Sequence, residues 1–291
     1  MQDFLQKESR PEQSEPLISI VTSTFRAAGH LPRAIGSVRA QVFEDFEWII
    51  IDGASDDGTM DVLRQNEDVV DYWMSEPDKG IYDAWNKGVS KARGKWIVFF
   101  GADDYLWAPD VLGRAAAALG AAPPQCHVVY GQIAMVNHAG EEVERVGTEW
   151  AKLKRRFRSL MCLPHPAVFH RRDLFQAYGN FDPAFRIAGD YEFLLRELRE
   201  HDALFVPGLV VTGMTVGGIS SSPENSRKMM RETRQASRKN GQLLPGAPWV
   251  FAVLRMKLRQ TAWDILGEQR ARRLLDMGRR LLRKSAYWTK T

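Results

Sequence analysis

Two adjacent aspartates, Asp103 and Asp104, follow a short apolar run in residues 96–106, which read WIVFFGADDYL. The run predicts a buried strand, and in a parallel α/β sheet the carboxyl ends of strands form the ligand crevice. Carboxylates at such an end can hold a hard divalent ion where phosphates must also be bound. Asp103 and Asp104 are therefore the first candidates for a metal and nucleotide site, with a plain strand-to-helix turn as the alternative.

Alternating strands and helices in the first hundred residues place these carboxylates at the edge of a predicted sheet. Apolar runs predict strands at residues 17–25, 46–51, 72–75 and 95–101, and helical spacing predicts helices at 29–41, 60–66 and 81–92. This order predicts an α/β fold with a mostly parallel central sheet, whose usual ligand is a nucleotide. The sequence has neither GxGxxG after the first strand nor GxxxxGK[ST], so the phosphates must be held in another way, which a metal on Asp103 would provide.

The pattern becomes mixed after the first hundred or so residues. Strands are predicted at residues 127–135, 167–170 and 204–215, helices at 173–178 and 190–200, and a basic segment at 153–158. Asp190 stands at the start of the amphipathic helix at 190–200.

The composition is typical of a soluble globular protein, since 44% of the 291 residues are apolar and 26% are charged. Cys126 and Cys162 match no zinc-ligand spacing and suggest no disulfide framework, which favours a reducing compartment. Residues 1–15 are polar, lack signal-peptide character and predict a disordered tail. No stretch approaches the roughly 18 apolar residues of a membrane span, so we expect a cytoplasmic protein, at most attached to a membrane face.

The charge is distributed unevenly along the chain. Residues 224–291 contain 17 Lys and Arg against 5 Asp and Glu, whereas residues 1–223 contain 23 against 31. Residues 249–266 mix Trp, Phe and Leu with basic side chains, and such a helix can lie in an anionic membrane interface. The alternative is a helix that packs its apolar side on the rest of the protein. Nucleic-acid binding is disfavoured, because no RNA- or DNA-binding module pattern accompanies the basic tail.

Six motifs, in order along residues 16–222, resemble the family 2 glycosyltransferases, which are inverting enzymes of the GT-A fold that use nucleotide sugars. They read ISIVTSTF, IIIDGASDDGT, SEPDKGIYDAWNKG, FFGADD, GNFDPAF with AGDYEFLLR after it, and GGISSS. The resemblance implies a disordered tail at residues 1–15, a Rossmann-like GT-A domain at 16–222 and a basic helical extension at 223–291.

The resemblance also implies which residues bind the donor. The nucleoside would border Thr22, Phe25 and Asp52, since a carboxylate at a strand end can accept hydrogen bonds from a base or ribose. The donor sugar and diphosphate would face Asp78, Lys79, Asp83, Asn86 and Lys87. A turn carboxylate is the alternative for Asp52, and a solvated helix face is the alternative for the second group.

The same resemblance assigns the metal and the base. Asp103 would bind Mn²⁺ or Mg²⁺ directly with Asp104 beside it, although Gly101 stands where the family's metal motif commonly has its first Asp. Asp190 would be the catalytic base that deprotonates the acceptor hydroxyl, with an N-cap role as the alternative. Glu192 is a weaker second candidate for the base, and His165 either lines the acceptor side or is structural. The GGISSS loop at residues 217–222 would be a mobile lid.

The function implied is a metal-dependent, hexosyltransferase-like enzyme. It would move a sugar, from a UDP-sugar in particular, to a lipid-linked or polysaccharide acceptor at the inner face of the cytoplasmic membrane. A non-catalytic nucleotide-sugar-binding or scaffold protein on the same fold is the alternative from another class. A nucleotidyltransferase is a third reading, but its glycine-rich, basic first loop is missing after Phe25.

Overall fold

The computed structural model describes residues 5–7, 15–216, 223–281 and 287–289. The predicted lid at residues 217–222 lies outside the described residues, as does most of the predicted N-terminal tail. Three residues of that tail, Leu5–Lys7, form a strand that pairs with an edge of the sheet, and they depart in this from the disordered tail predicted there.

The described residues form ten strands and ten α-helices in one chain order. These are β1 (Leu5–Lys7), β2 (Ile18–Thr24), α1 (Leu31–Arg39), β3 (Phe46–Asp52), α2 (Thr59–Arg64), β4 (Tyr72–Ser75), α3 (Ile81–Lys91), β5 (Trp96–Gly101), β6 (Tyr105–Leu106), α4 (Val111–Gly120), β7 (Val128–Val136), β8 (Glu142–Val146), α5 (Trp150–Phe157), β9 (Val168–Arg171), α6 (Asp173–Tyr178), α7 (Gly189–Leu198), β10 (Leu204–Thr215), α8 (Pro223–Lys239), α9 (Ala247–Leu266) and α10 (Glu268–Leu281).

The strands form one sheet in the order β1-β4-β3-β2-β5-β9-β7-β10-β6, with β8 paired to β7. Among the described strands, β2, β3, β4, β5, β7 and β10 run in one direction, and β1, β6, β8 and β9 run against them. The predicted α/β fold with a mostly parallel central sheet is therefore confirmed.

Helices cover both faces of the sheet, because successive strand residues point to opposite sides. Val21 and Phe99 face one apolar layer, which includes side chains of α3, α5, α6 and α7. Ile20 and Val98 face the other layer, which includes side chains of α1, α2 and α4. Strands buried on both faces explain why their sequences read as continuous apolar runs.

Most predicted elements are present with ends shifted by a few residues. The strand at 204–215 and the helix at 173–178 have the predicted bounds, and Gly179 ends the latter with a positive φ of 76°. The basic segment at 153–158 belongs to α5, and α4 was not predicted. No helix among the described residues is long and apolar enough to cross a membrane.

Candidate active site

The four parallel strands β4, β3, β2 and β5 end at one edge of the sheet, where they form the floor of a crevice. In register, Thr24 lies opposite Asp52, Asp52 opposite Ser75, and Ser23 opposite Gly101. The loops that follow these strands carry most of the predicted site residues, as expected at the carboxyl edge of a parallel sheet.

Asp52 is buried at this edge and its carboxylate is fully engaged within the protein. Oδ1 accepts hydrogen bonds from the hydroxyls of Thr24 at 2.8 Å and Ser55 at 2.6 Å. Oδ2 accepts from the backbone N–H of Ser55 at 2.8 Å and the hydroxyl of Ser75 at 2.7 Å. Four bonds saturate a carboxylate, so Asp52 joins the ends of three strands, and it would have to exchange one of them to contact a nucleoside.

Thr22 does not reach the crevice, and the structure corrects its assignment as a nucleoside contact. Its side chain is fully buried and its Oγ1 accepts a hydrogen bond of 2.9 Å from the indole N–H of Trp48. The residue faces the layer below the sheet, where no ligand has access.

Phe25 is accessible, with 64% of its surface exposed directly after β2. It lies beside Gly53, where a Cβ would come within 3.4 Å of the Phe25 ring and 2.6 Å of Asp78 Oδ2. Phe25, Gly53 and Asp78 therefore meet at one point of the crevice. The neighbouring Arg26 and Ala54 have positive φ angles of 50° and 61°, a strained conformation that clusters at functional sites.

The start of α3 brings both charge signs to the crevice. Asp78 accepts a hydrogen bond from the N–H of Gly80 at 2.7 Å, and Asp83 accepts from the N–H of Lys79 at 3.0 Å. The Lys79 side chain is exposed and has no acidic partner among the described residues. Arg186 lies over Gly80, since a Cβ there would be 2.8 Å from its Nη1. Lys79 and Arg186 are thus two available cations at the helix start.

Two other predicted donor contacts on α3 are engaged in the fold. The Lys87 ammonium lies 2.7 Å from Glu76 and 3.7 Å from Asp83, and it donates to the Pro77 carbonyl. Asn86 makes a reciprocal pair with the backbone of Phe181, at 2.9 Å in each direction. Asn86 therefore fixes the loop at residue 181 rather than facing a donor, and the structure corrects its assignment.

Asp103 and Asp104 converge on Gly101 at the end of β5. A Cβ at Gly101 would lie 2.7 Å from Asp104 Oδ2 and 2.9 Å from Asp103 Oδ1, so only glycine fits between the carboxylates. Asp104 is buried and accepts a hydrogen bond from the Gly101 N–H at 3.1 Å, whereas Asp103 is exposed. Burial, reinforced by the charge of Asp103, raises the pKa of Asp104 to about 7.

The carboxylate pair fits a divalent cation. Neither acid pairs with a Lys or Arg within the described part of the chain, so their mutual repulsion is uncompensated there. A hard divalent ion takes carboxylate oxygens and would stabilise both charges.

Asp190 lies in the first turn of α7 and is only partly buried. Its Oδ1 accepts a hydrogen bond of 3.1 Å from the hydroxyl of Tyr82, which is 3% exposed and belongs to the first turn of α3. Gly189 permits this contact, because a Cβ there would lie 2.7 Å from the Tyr82 ring. Burial and the Asp190 charge raise the pKa of Tyr82 well above its ordinary value, so its hydroxyl stays protonated and donates to the carboxylate.

The loop before Asp190 is held by α8. The Oε2 atom of Glu232 accepts three consecutive backbone hydrogen bonds, from Arg186 at 3.0 Å, Ile187 at 2.7 Å and Ala188 at 3.0 Å. Glu232 is 7% exposed, so these bonds are shielded from water. The C-terminal extension therefore fixes the segment that leads into Asp190.

Glu192 and His165 are both buried away from solvent. Glu192 is 1% exposed and pairs with Arg196 and with Lys239, the latter at 3.2 Å, which excludes it as an accessible base. His165 is 7% exposed and stacks on Trp85 at 5.1 Å between ring centroids. Burial lowers the pKa of His165, although Asp190 opposes this, so the structure corrects its assignment from acceptor contact to neutral packing residue.

A second group of metal-binding residue types lies at the opposite edge of the sheet. His127 precedes β7, and Glu197 and His201 lie at the end of α7, with ligand atoms within 4.8 Å of one another. The His127 Nδ1 to Glu197 Oε1 distance is 2.6 Å, which describes an ion pair or hydrogen bond. This group does not coincide with the carboxylates at Gly101.

Three residues of the site were missed from the sequence. Tyr82 and Arg186 lie inside or beside the motifs SEPDKGIYDAWNKG and AGDYEFLLR, but their types alone do not reveal their contacts. Glu232 gives no local signal, because its partners precede it by 44 to 46 residues.

Comparison with known proteins supports the same site architecture. The sequence profile described as "Glycosyl transferase family 2" matches residues 19–178. A "PGL/p-HBAD biosynthesis glycosyltransferase" of Mycobacterium bovis is 34% identical over 186 residues, which span 62% of this chain and 69% of the relative.

Two solved structures share the fold at low sequence identity. TarS of S. aureus in complex with UDP-GlcNAc has a TM-score of 0.59 at 18% identity, over 75% of this chain and 66% of that one. The mannosyltransferase PcManGT of Pyrobaculum calidifontis, in complex with GDP-Man and Mn²⁺, has a TM-score of 0.62 at 17% identity, over 92% and 80%. The chain thus spans about two thirds or more of each of these relatives.

Proposed function

This chain belongs to glycosyl transferase family 2, and from that premise we propose that it transfers a sugar from a nucleotide donor to a lipid-linked or polysaccharide acceptor with inversion at the anomeric carbon. The observation that carries the proposal is the uncompensated pair Asp103 and Asp104 at the end of β5, in a fold where Tyr82 and Glu232 hold Asp190 in place.

The donor is proposed to lie along the crevice. The exposed Phe25 ring suits stacking on a base, since an aromatic face accepts any π-system. The cations Lys79 and Arg186 suit the diphosphate, one as a point charge and the other as a planar donor. Asp78 and Asp83 would face the sugar. Asp52 is assigned to holding the strand ends together, on the evidence of its four internal hydrogen bonds.

The cofactor is proposed to be Mn²⁺ or Mg²⁺, held by Asp103 with Asp104 beside it. When bound, such an ion stabilises negative charge on a leaving diphosphate. The buried and exposed members of the pair differ in role, because Asp104 is fixed by the Gly101 N–H while Asp103 can reach a ligand. One structural relative contains Mn²⁺ and a nucleotide sugar, which supports this assignment by analogy of fold.

Asp190 is proposed as the catalytic base. Its carboxylate takes the proton of the acceptor hydroxyl while the oxygen forms a bond to the anomeric carbon, and the bond from that carbon to the diphosphate breaks on the opposite face. The electron pair leaves with the nucleoside diphosphate. Tyr82 orients the carboxylate through Oδ1 and leaves Oδ2 for the acceptor.

The donor nucleotide is proposed to be a uridine diphosphate and the location the inner face of the cytoplasmic membrane. The two structural relatives bind different nucleotides, UDP-GlcNAc and GDP-Man, so a donor panel must decide. The basic extension, at residues 223–291, and its exposed apolar side chains support a peripheral membrane position.

The test is hydrolysis and transfer from a panel of UDP-, GDP- and dTDP-sugars, with Mn²⁺, Mg²⁺ or EDTA and with membrane lipid extract. Wild type is expected to turn over one donor only with metal, while Asp103→Ala and Asp190→Asn lose at least about a hundredfold in rate. Asp110→Asn, at an exposed carboxylate, is the matched control. Donor binding without turnover, unchanged in Asp190→Asn, would instead support a non-catalytic nucleotide-sugar-binding protein.

A further inference from the structure

The C-terminal helices enclose a groove that the proposed catalytic chemistry does not use. It lies between α8, α9 and α10 and has a volume of about 600 Å³. Methionine and leucine side chains form much of its lining, among them Met229, Met230, Met256 and Leu274. Methionine is unbranched and adapts its shape to an apolar chain, and the volume lies in the roughly 300–1,000 Å³ range of small-molecule sites.

One wall of the groove is built by a segment that folds back onto α10. Asp276 accepts hydrogen bonds from the backbone N–H groups of Tyr287 at 2.8 Å, Trp288 at 3.0 Å and Thr289 at 2.8 Å. The Trp288 ring lies 5.6 Å from Trp263 and completes the wall against α9. Four hydrogen bonds to one buried carboxylate, including the Thr289 hydroxyl, fix this wall in place.

Two arginines at the groove lack acidic partners. Arg255 and Arg259 are one helical turn apart on α9, both line the groove, and neither has an acidic partner among the described residues. Arg259 lies 5.2 Å from the centre of the Trp288 ring. Burial and the charge of Arg255 lower the pKa of Arg259, which shows that the two cations repel each other. Arg279, by contrast, is paired with Glu144.

We propose that this groove binds a single-chain amphiphile with a phosphate headgroup, its apolar chain against the methionines and its phosphate on Arg255 and Arg259. An anion between the two guanidiniums relieves their repulsion, and guanidinium groups match phosphate geometry. The apolar lining excludes a purely hydrophilic anion as the best ligand.

The groove is connected to the proposed base through α8. Met229 and Met230 are within one helical turn of Glu232, which holds the loop before Asp190. This inference rests on the proposed function, because the ligand class is that of a lipid-linked acceptor. The groove would anchor the lipid while the glycan or hydroxyl end reaches the crevice.

The test is calorimetric titration of the full chain with dodecyl phosphate below its critical micelle concentration. Dodecanol and inorganic phosphate are titrated separately, and each is expected to bind at least about tenfold more weakly than dodecyl phosphate. The double variant Arg255→Gln/Arg259→Gln is expected to lose about tenfold or more in affinity. Lys257→Gln removes the same charge from another face of α9 and is expected to bind like wild type. Met256→Gln tests the apolar lining independently.

The outcomes separate this inference from its alternatives. Equal binding of inorganic phosphate would indicate a simple anion site and overturn the proposal, as would unchanged binding in the double arginine variant. Arginine-dependent binding to phosphatidylglycerol vesicles without binding of dodecyl phosphate would indicate a bilayer contact and also overturn it. Nucleotide-sugar turnover is measured on the same preparations, so the failure of glycosyl transfer and the failure of amphiphile binding are distinguished.

Discussion

At the residue scale, Asp190 depends on a buried aromatic hydroxyl for its orientation. Tyr82 is packed beneath Gly189 and donates to one carboxylate oxygen only. A hydrogen bond to a charged group contributes about 1.5–3 kcal/mol, and its loss here leaves the base free to rotate. Tyr82 is thus a positioning residue for the proposed transfer.

We expect Tyr82→Phe to lower kcat by about tenfold with little change in KM for the donor, because the ring still fills its space while the base loses its orientation. Steady-state kinetics of transfer provide the measurement. Tyr72→Phe, which removes a hydroxyl whose partner is the sulfur of Met74, is the control. An unchanged kcat in Tyr82→Phe would show that the bond is only structural.

Gly101 is required by the two carboxylates around it, not by an unusual backbone conformation. We expect Gly101→Ala to weaken Mn²⁺ binding by about tenfold, because the methyl group would displace atoms now 2.7 and 2.9 Å away. Calorimetric titration with Mn²⁺ measures this. Gly120→Ala is the matched control, since no atom lies within 4 Å of the position that its methyl group would take. Equal Mn²⁺ affinity in both variants would place the metal elsewhere.

The sequence predicts the site residues that stand at strand and helix ends better than those within them. Asp103 and Asp104 follow a strand and Asp190 begins a helix, so their position in the crevice follows from topology alone. Thr22 could not be placed in this way, because β2 is buried on both faces and its pattern does not show which side chains point down. Asn86 has the right helical spacing, but its partner, the Phe181 backbone, comes from a distant turn.

At the element scale, α8 acts as a support for the start of α7. Glu232 accepts from three backbone donors, and Ser237 and Lys239 add contacts to Tyr191 and Glu192. The strands and helices of the sheet could be predicted because their periodicity is local. The docking of α8 could not, since it depends on one carboxylate meeting a loop far away in the chain.

We expect Glu232→Gln to lower the free energy of unfolding by about 1–3 kcal/mol and to reduce kcat more than donor affinity. The amide keeps the shape of the side chain but weakens charge-assisted bonds to the loop before Asp190. Urea unfolding and steady-state kinetics are the measurements. Glu224→Gln, at the exposed start of α8, is the control. If kcat and stability both match wild type, α8 does not position the base.

The carboxylate of Asp276 makes the C-terminal wall pH-dependent. Although partial burial opposes it, hydrogen bonds from Thr289 and the backbone of Tyr287 and Trp288 lower the pKa of Asp276 to about 2 from 3.8. A lowered pKa stabilises the folded state above the ordinary value, and this stability is lost as the pH falls toward 2.

We expect Asp276→Asn to cost up to about 2 kcal/mol at pH 6, and the difference from wild type to fall to about half at pH 3. Urea unfolding at the two pH values measures it. Asp264→Asn, at an exposed position on α9, should match wild type at both. A difference that grows as the pH falls would contradict the assignment.

At the scale of the whole molecule, the charge is separated between two parts of the chain. The first 223 residues carry 23 basic against 31 acidic side chains, and the remainder carries 17 against 5. The basic part also exposes apolar side chains along one stripe of α9, formed by Phe251, Leu254, Leu258 and Ile265. Their spacing of three, four and seven residues keeps them on one helical face, a pattern typical of an interfacial helix.

We expect the protein to bind vesicles of phosphatidylglycerol but not of phosphatidylcholine, and to be released when salt rises from 0.1 to 1 M, where the Debye length falls from about 10 to 3 Å. Sedimentation with vesicles measures binding. Phe251→Ser/Leu258→Ser should lower it by at least about tenfold, because two exposed apolar side chains no longer enter the interface. Leu243→Ser, 78% exposed outside the stripe, should not. Salt-sensitive binding to nucleic acid of equal strength would show that the basic surface recognises polyanions in general. Loss of vesicle binding in the stripe variant alone would instead establish that α9 places the crevice near a membrane, where a lipid-linked acceptor is found.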